Sequence, residues 1–257
     1  MITDCHTHIA NPTNKAEIEG HLEACSSADA CIVLGSVENS IPDYNKQLGE
    51  YCKSHKKMTG FGVINPVEDP VKSRAVKNRI RDAGLAGIVL YCSEHRFHPA
   101  HSRAMRLYEA AEKLNLPVFF HNSAPYSSGA IMDYGRTFLL DEIARRFPSL
   151  KIIIGGMGVP FASETICMIS KHDNVFADLT FRPNRVWEVY NLVVTAYEAD
   201  VMDKLLFGSG YPLSGVNECV ETLLGFNRLM ADTHLPVVPR QELRNIIERD
   251  AFALLGL

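Results

Sequence analysis

The chain has 257 residues and a formal charge of −4, with 46% hydrophobic and 22% charged residues. That balance belongs to a soluble globular protein and excludes disorder, collagen-like repeats and small disulfide scaffolds. Basic runs such as Arg145, Arg146 and Lys151 are short, so the electrostatic footprint of a nucleic-acid protein is missing and no nucleic-acid partner is expected.

A chain of this length buries about 75% of its unfolded surface and needs neither disulfides nor metal to fold. An α/β barrel of about 250 residues counts as one domain, and residues 1–257 are read as one. Seven cysteines, an odd number with no C-x-x-C pair, read as small buried hydrophobes in a reducing compartment. Met1-Ile2-Thr3-Asp4 shows neither a charged nor an apolar leader, and no apolar run approaches the ~18 residues of a membrane span. A cytoplasmic protein with no membrane partner is expected.

Runs rich in β-branched and aromatic residues predict eight strands: Ile2–His6, Ala30–Leu34, Met58–Val63, Ala86–Tyr91, Pro117–His121, Lys151–Ile154, Val175–Leu179 and Lys204–Phe207. Their starts lie about 24 to 34 residues apart, the length of one strand–helix repeat. Ile152-Ile153-Ile154 and Leu205-Leu206-Phe207 are apolar without alternation, as parallel strands covered on both faces should be. Helical spacing appears in Ala104, Leu107, Ala111 and Leu114, in Leu139/Leu140, Ile143 and Phe147, and in Val220, Leu223 and Leu224. Leu243, Ile246/Ile247, Ala251 and Leu254 predict a C-terminal amphipathic helix, set apart by Pro236 and Pro239. The pattern predicts a (β/α)8 TIM barrel. A doubly wound sheet would carry a glycine-rich turn after its first strand, whereas this chain has Cys5-His6-Thr7-His8.

In such a barrel, chemistry sits where strands end. His6 and His8, two residues apart at the end of the first strand, share a face and can chelate one cation. His121 stands at the end of the fifth strand, behind Pro117-Val118-Phe119-Phe120. Three neutral imidazoles make a site suited to one divalent ion, zinc above all, with an open position for water. The loop after strand four carries His95, His98 and His101, which read either as proton-transfer groups or as residues of a solvated loop. Asp178, late in strand seven, reads either as inward-facing or as structural.

Asp4-Cys5-His6-Thr7-His8 and Leu116-Pro117-Val118-Phe119-Phe120-His121 resemble the first and fifth strands of the amidohydrolase superfamily. The nearer similarity is to the branch of aminocarboxymuconate-semialdehyde decarboxylase and related barrel hydrolases and decarboxylases. Further similar stretches are 150–161, 174–179, 206–212 and the closing 249–257. The resemblance implies a metal held by His6, His8, His121 and a strand-eight aspartate, with a strand-six histidine activating water. Here the chain departs, because Gly156 and Gly210 stand at those last two positions. The strand-four lysine of binuclear relatives is also missing, with Val89 near its place.

The readings left open are three. The first is a metal-dependent hydrolase or decarboxylase acting on a small, polar, carboxylated substrate with rearranged groups. The second is an inactive barrel that binds a small molecule or a partner, with weak metal binding or none. The third is another H-x-H barrel, such as a phosphoesterase or a TatD-like nuclease. A homodimer is expected only because two-fold assemblies are the commonest.

Overall fold

A computed structural model describes residues 1–37, 41–122, 126–180 and 182–257. Its strands are β1 (Thr3–His8), β2 (Ala30–Leu34), β3 (Met58–Val63), β4 (Gly87–Leu90), β5 (Val118–Phe120), β6 (Ile152–Ile154), β7 (Val175–Thr180) and β8 (Leu205–Gly208). All pair in parallel with their sequence neighbours, in the order β1 to β8. The ring closes just past β8, where the Gly210 amide donates to the His6 carbonyl at 2.8 Å and the His8 amide to the Tyr211 carbonyl at 3.0 Å. This is the expected TIM barrel, and all eight predicted strands are present.

The connecting helices are α1 (Lys15–Ala24), α2 (Tyr44–Ser54), α3 (Ser73–Arg79), α4 (Ser102–Lys113), α5 (Asp141–Arg146), α6 (Ala162–Lys171), α7 (Val186–Glu198) and α8 (Val216–Gly225). The predicted terminal helix is two pieces, α9 (Arg240–Ile247) and α10 (Ala251–Leu255). Asp250 makes the break: its carboxylate accepts from the Ala253 amide at 3.0 Å and caps a new helix start. The turn lets α10 lay Ala251 and Leu255 against the apolar packing inside the barrel.

Why the strands lack alternation is visible in the two apolar layers. Ile153, Phe119 and Leu206 point into the barrel, where they meet Cys5, Ile32, Phe61, Val89 and Phe176. Their neighbours Ile152, Ile154, Val118, Phe120, Leu205 and Phe207 pack outward under the helices. Both faces are dry, so both must be apolar.

β1 is the exception, and the exception builds the site. Pairing to β2 runs Asp4 with Cys31 and then Thr7 with Val33, so β1 carries one extra residue. A bulge of this kind re-aims side chains. It lets Cys5 face the barrel interior while His6, its immediate neighbour, turns to the same interior and meets Phe119 edge-on at 5.2 Å.

Asp4 fastens this strand to β8. Fully buried, it accepts from the Ser209 amide at 2.9 Å, the Ser209 hydroxyl at 2.6 Å and the His6 amide at 3.1 Å. Burial outweighs these bonds and pushes its carboxyl up from 3.8 to about 7. A raised folded-state value stabilises below pH 3.8, and that stabilisation is lost as pH rises towards about 7. Denaturant unfolding across this window should therefore show the stability of the native chain falling relative to Asp4→Asn as pH rises. A difference that stays flat or grows would contradict the assignment.

Candidate metal centre

Three strand-end histidines converge at the barrel mouth. His6 Nε2 lies 3.1 Å from His8 Nε2, which lies 3.1 Å from His121 Nε2. The three ligand atoms all fall within 4.8 Å of one another and could hold a metal ion. His6 is buried, while His8 and His121 keep partial exposure towards the mouth.

The second nitrogen of each β1 imidazole determines what the first can do. His8 Nδ1 is 3.1 Å from the Leu34 carbonyl, a group that can only accept, so Nδ1 carries the proton. His6 Nδ1 is 2.9 Å from Asp178 Oδ2, and the carboxylate imposes the same tautomer. With both rings in this neutral tautomer, each presents a bare Nε2 lone pair to the other. No proton is left to bridge them, and a cation resolves the repulsion. Two nitrogens each ~2.05 Å from one zinc ion at a tetrahedral angle lie about 3.3 Å apart, close to the spacing found here, so the residues present fit a divalent ion.

Electrostatics keep the rings ready. Burial first, and then the proximity of His6, lowers His8 to about 3. Burial, His6 and His8 hold His121 well below the usual histidine range. Tyr91 braces His121 with a ring 4.5 Å away, and is itself tied by its hydroxyl to the Gly35 carbonyl at 2.6 Å.

Around His6 lies a set of partners that sequence reasoning only half found. Asp178 faces inward and contacts His6, one of the two orientations read from the sequence. Thr180 was missed: its hydroxyl donates to Asp178 Oδ1 at 2.6 Å and accepts at 2.9 Å from His6 Nδ1. The Gly156 amide donates to Asp178 Oδ2 at 2.8 Å. Phe176, Asp178 and Thr180 lie at i, i+2 and i+4 of β7, and that spacing was the available signal.

The loop histidines divide. His95 lies one ring from the centre, its imidazole 5.9 Å from Tyr91. It lines a cavity of about 610 Å³ together with Ser36, Tyr44, Asn65, Asp69 and Arg79. Burial lowers its pKa despite nearby Glu68, Asp69 and Glu94. His98 and His101 are exposed and serve the backbone: His98 Nδ1 accepts from the Ala100 amide, and His101 caps α4 by accepting from the Arg103 amide.

A parallel eight-stranded barrel with a trihistidine cluster at its mouth defines a class, and the amidohydrolase family model matches residues 3–257. The chain belongs to the amidohydrolase family. No curated protein sequence matches it.

Solved structures share the fold at low identity. The dihydroxybenzoic acid decarboxylase of Polaromonas sp. JS666, with bound manganese and the inhibitor 2-nitroresorcinol, is 13% identical, with 100% of this chain and 97% of that one covered at a TM-score of 0.68. The 5-carboxyvanillate decarboxylase of Sphingomonas paucimobilis is 12% identical, with 100% and 99% covered at 0.68. The probable 2-pyrone-4,6-dicarboxylic acid hydrolase of Acinetobacter baumannii, with citric acid bound, is 13% identical, with 100% and 99% covered at 0.69. Among the described residues no helix is long and apolar enough to cross a membrane.

The depressed His8 value has a direct readout in the metal-free protein. Its imidazole proton resonances should stay constant from about pH 8 to about pH 5, the range in which an unperturbed histidine titrates. A midpoint near 6.5 would contradict the buried, neutral ring.

Proposed function

We propose that the chain, as one barrel domain, is a metal-dependent enzyme acting on a small carboxylated substrate, and that its reaction is decarboxylation of a hydroxylated aromatic acid. The observation that carries this reading is the cluster of three Nε2 atoms, His8 lying 3.1 Å from each of the other two and all within 4.8 Å of one another. His6, His8 and His121 hold one divalent ion, zinc by the chemistry of three imidazoles or manganese as in the Polaromonas structure. The ion supplies positive charge that orients and polarises the oxygen atoms of the substrate.

Decarboxylation is favoured over hydrolysis by the two glycines that stand where the family pattern carries a histidine and an aspartate. Hydrolysis needs a base beside the ion to activate water, a contribution of about 10² to 10⁴ in rate. Gly156 and Gly210 offer no side chain for it. Loss of carbon dioxide breaks a C–C bond without attacking water, and one proton then replaces the carboxyl group on carbon. His95, separated from His121 by the single ring of Tyr91, is the group assigned to move that proton. Tyr91 holds His121 in place, and Asp178 holds His6. Seven free cysteines, with only Cys167 exposed, suit a cytoplasmic setting.

Carbon dioxide release from 2,6-dihydroxybenzoate and 5-carboxyvanillate should be lost on chelation and restored by zinc or manganese. In His8→Ala it should fall by about 10³-fold or more, since the polarising charge is removed with its ligand. Turnover that survives chelation and His8→Ala would overturn the metal-dependent reading. Tight ligand binding without turnover, insensitive to chelator, would favour the binding-protein alternative.

A further inference from the structure

The glycines near the end of β8 have a steric explanation that the family pattern does not contain. Gly208 and Gly210 follow Leu206, which faces the barrel interior, at i+2 and i+4. A Cβ on Gly208 would sit 2.7 Å from Asp178 Oδ1 and 2.8 Å from His6 Cβ. A Cβ on Gly210 would sit 2.5 Å from Thr180 Cγ2. The space in which a strand-eight side chain would begin is therefore filled by β7 residues.

Thr180 cannot simply rotate away. Its Oγ1 is held between Asp178 Oδ1 at 2.6 Å and His6 Nδ1 at 2.9 Å. Swinging the methyl clear would withdraw the hydroxyl from both. Gly210 also has φ +69, a left-handed backbone that strains most side chains. Gly156 is constrained in the same manner: its φ is +54, and a Cβ there would lie 2.9 Å from the Asn122 carbonyl. Its amide, turned inward by that conformation, donates to Asp178.

We infer that Thr180 is a positioning residue that, with Asp178, replaces the strand-eight acid: it locks the His6 tautomer from outside the ligand shell while its methyl group excludes a carboxylate from position 210. This rests on the reading that His6, His8 and His121 hold a metal ion. The Asp178 carboxylate then has three donors, from His6 Nδ1, Thr180 Oγ1 and the Gly156 amide. It supplies the negative charge a ligand acid would bring from behind the His6 ring, on the side of the imidazole away from the cluster. Outer-sphere partners of this kind commonly change metal affinity by about 10 to 100-fold.

The two functions of Thr180 are separable by substitution. Thr180→Val keeps the methyl shape and removes the hydroxyl, while Thr180→Ser keeps the hydroxyl and removes the methyl. Zinc and manganese affinities, measured by competition with a chromophoric chelator, should fall about 10-fold or more in Thr180→Val and stay within about 3-fold of the native value in Thr180→Ser. Gly210→Asp alone should bind more weakly than the native chain, because the new side chain meets the methyl group. Gly210→Asp combined with Thr180→Ser should bind more tightly than Gly210→Asp alone, since the methyl clash is removed while the left-handed backbone strain is common to both.

Native affinity in Thr180→Val, or a single Gly210→Asp variant that binds as well as the double, would overturn the inference. Thermal unfolding of the metal-free variants separates a folding defect from a centre defect, since a merely structural Thr180 would lower stability without the serine–valine split in affinity. A native chain that takes up neither metal would remove the metal-centre reading itself. That outcome is distinct from one in which the native chain binds metal and the Thr180 variants match it.

Discussion

The centre depends on one buried contact, the His6 Nδ1 proton held by Asp178 Oδ2 across the top of the barrel. β1 and β7 are not neighbours; β8 lies between them. The contact exists because the intervening strand carries glycine at position 208, where any side chain would strike both partners. With that proton on Nδ1, the neutral His6 ring carries its lone pair on Nε2. Hydrogen bonding of His8 to the Leu34 carbonyl forces the same on its own Nε2. A cluster that could hold a cation follows from these tautomers, which are set by groups outside the three imidazoles.

The backbone delivers these side chains by two local departures from regular pairing. The extra residue in β1 puts the floor residue Cys5 and His6 of the cluster in succession on the inner side. The closure past β8, where His6 and His8 exchange backbone hydrogen bonds with Gly210 and Tyr211, holds that strand at the correct height. Asp4, clamped to Ser209 behind the sheet, ties the same two segments from the opposite side. The centre is thus positioned on strands fixed on both faces, the arrangement that holds ligand geometry most tightly.

Much of this is legible in the sequence. The strands announce themselves because both faces are dry: Ile152-Ile153-Ile154 alternates between two apolar layers, so no polar residue interrupts it. His6, His8 and His121 are found by residue type at strand ends, where barrel chemistry gathers. The β1 bulge is not legible, because a single extra residue leaves no mark on composition, and strict alternation would have put Cys5 and His6 on opposite faces. Thr180 is harder to find for a different reason: its spacing from Asp178 places it on the inner face, but a hydroxyl there carries no mark of its role. Gly156 and Gly210 read in sequence as losses, and only the backbone angles and crowded neighbours show what occupies their space. His98 and His101, attractive as residue types, cap local backbone because the loop turns their Nδ1 atoms back on itself.

The most direct test of the account is a crystal structure of the chain soaked in manganese or zinc, with anomalous scattering to locate the ion. A single peak about 2.0–2.2 Å from the Nε2 atoms of His6, His8 and His121, with Asp178 still on His6 Nδ1, is the predicted result. A peak on the Asp178 carboxylate, or none among the three imidazoles, would contradict it.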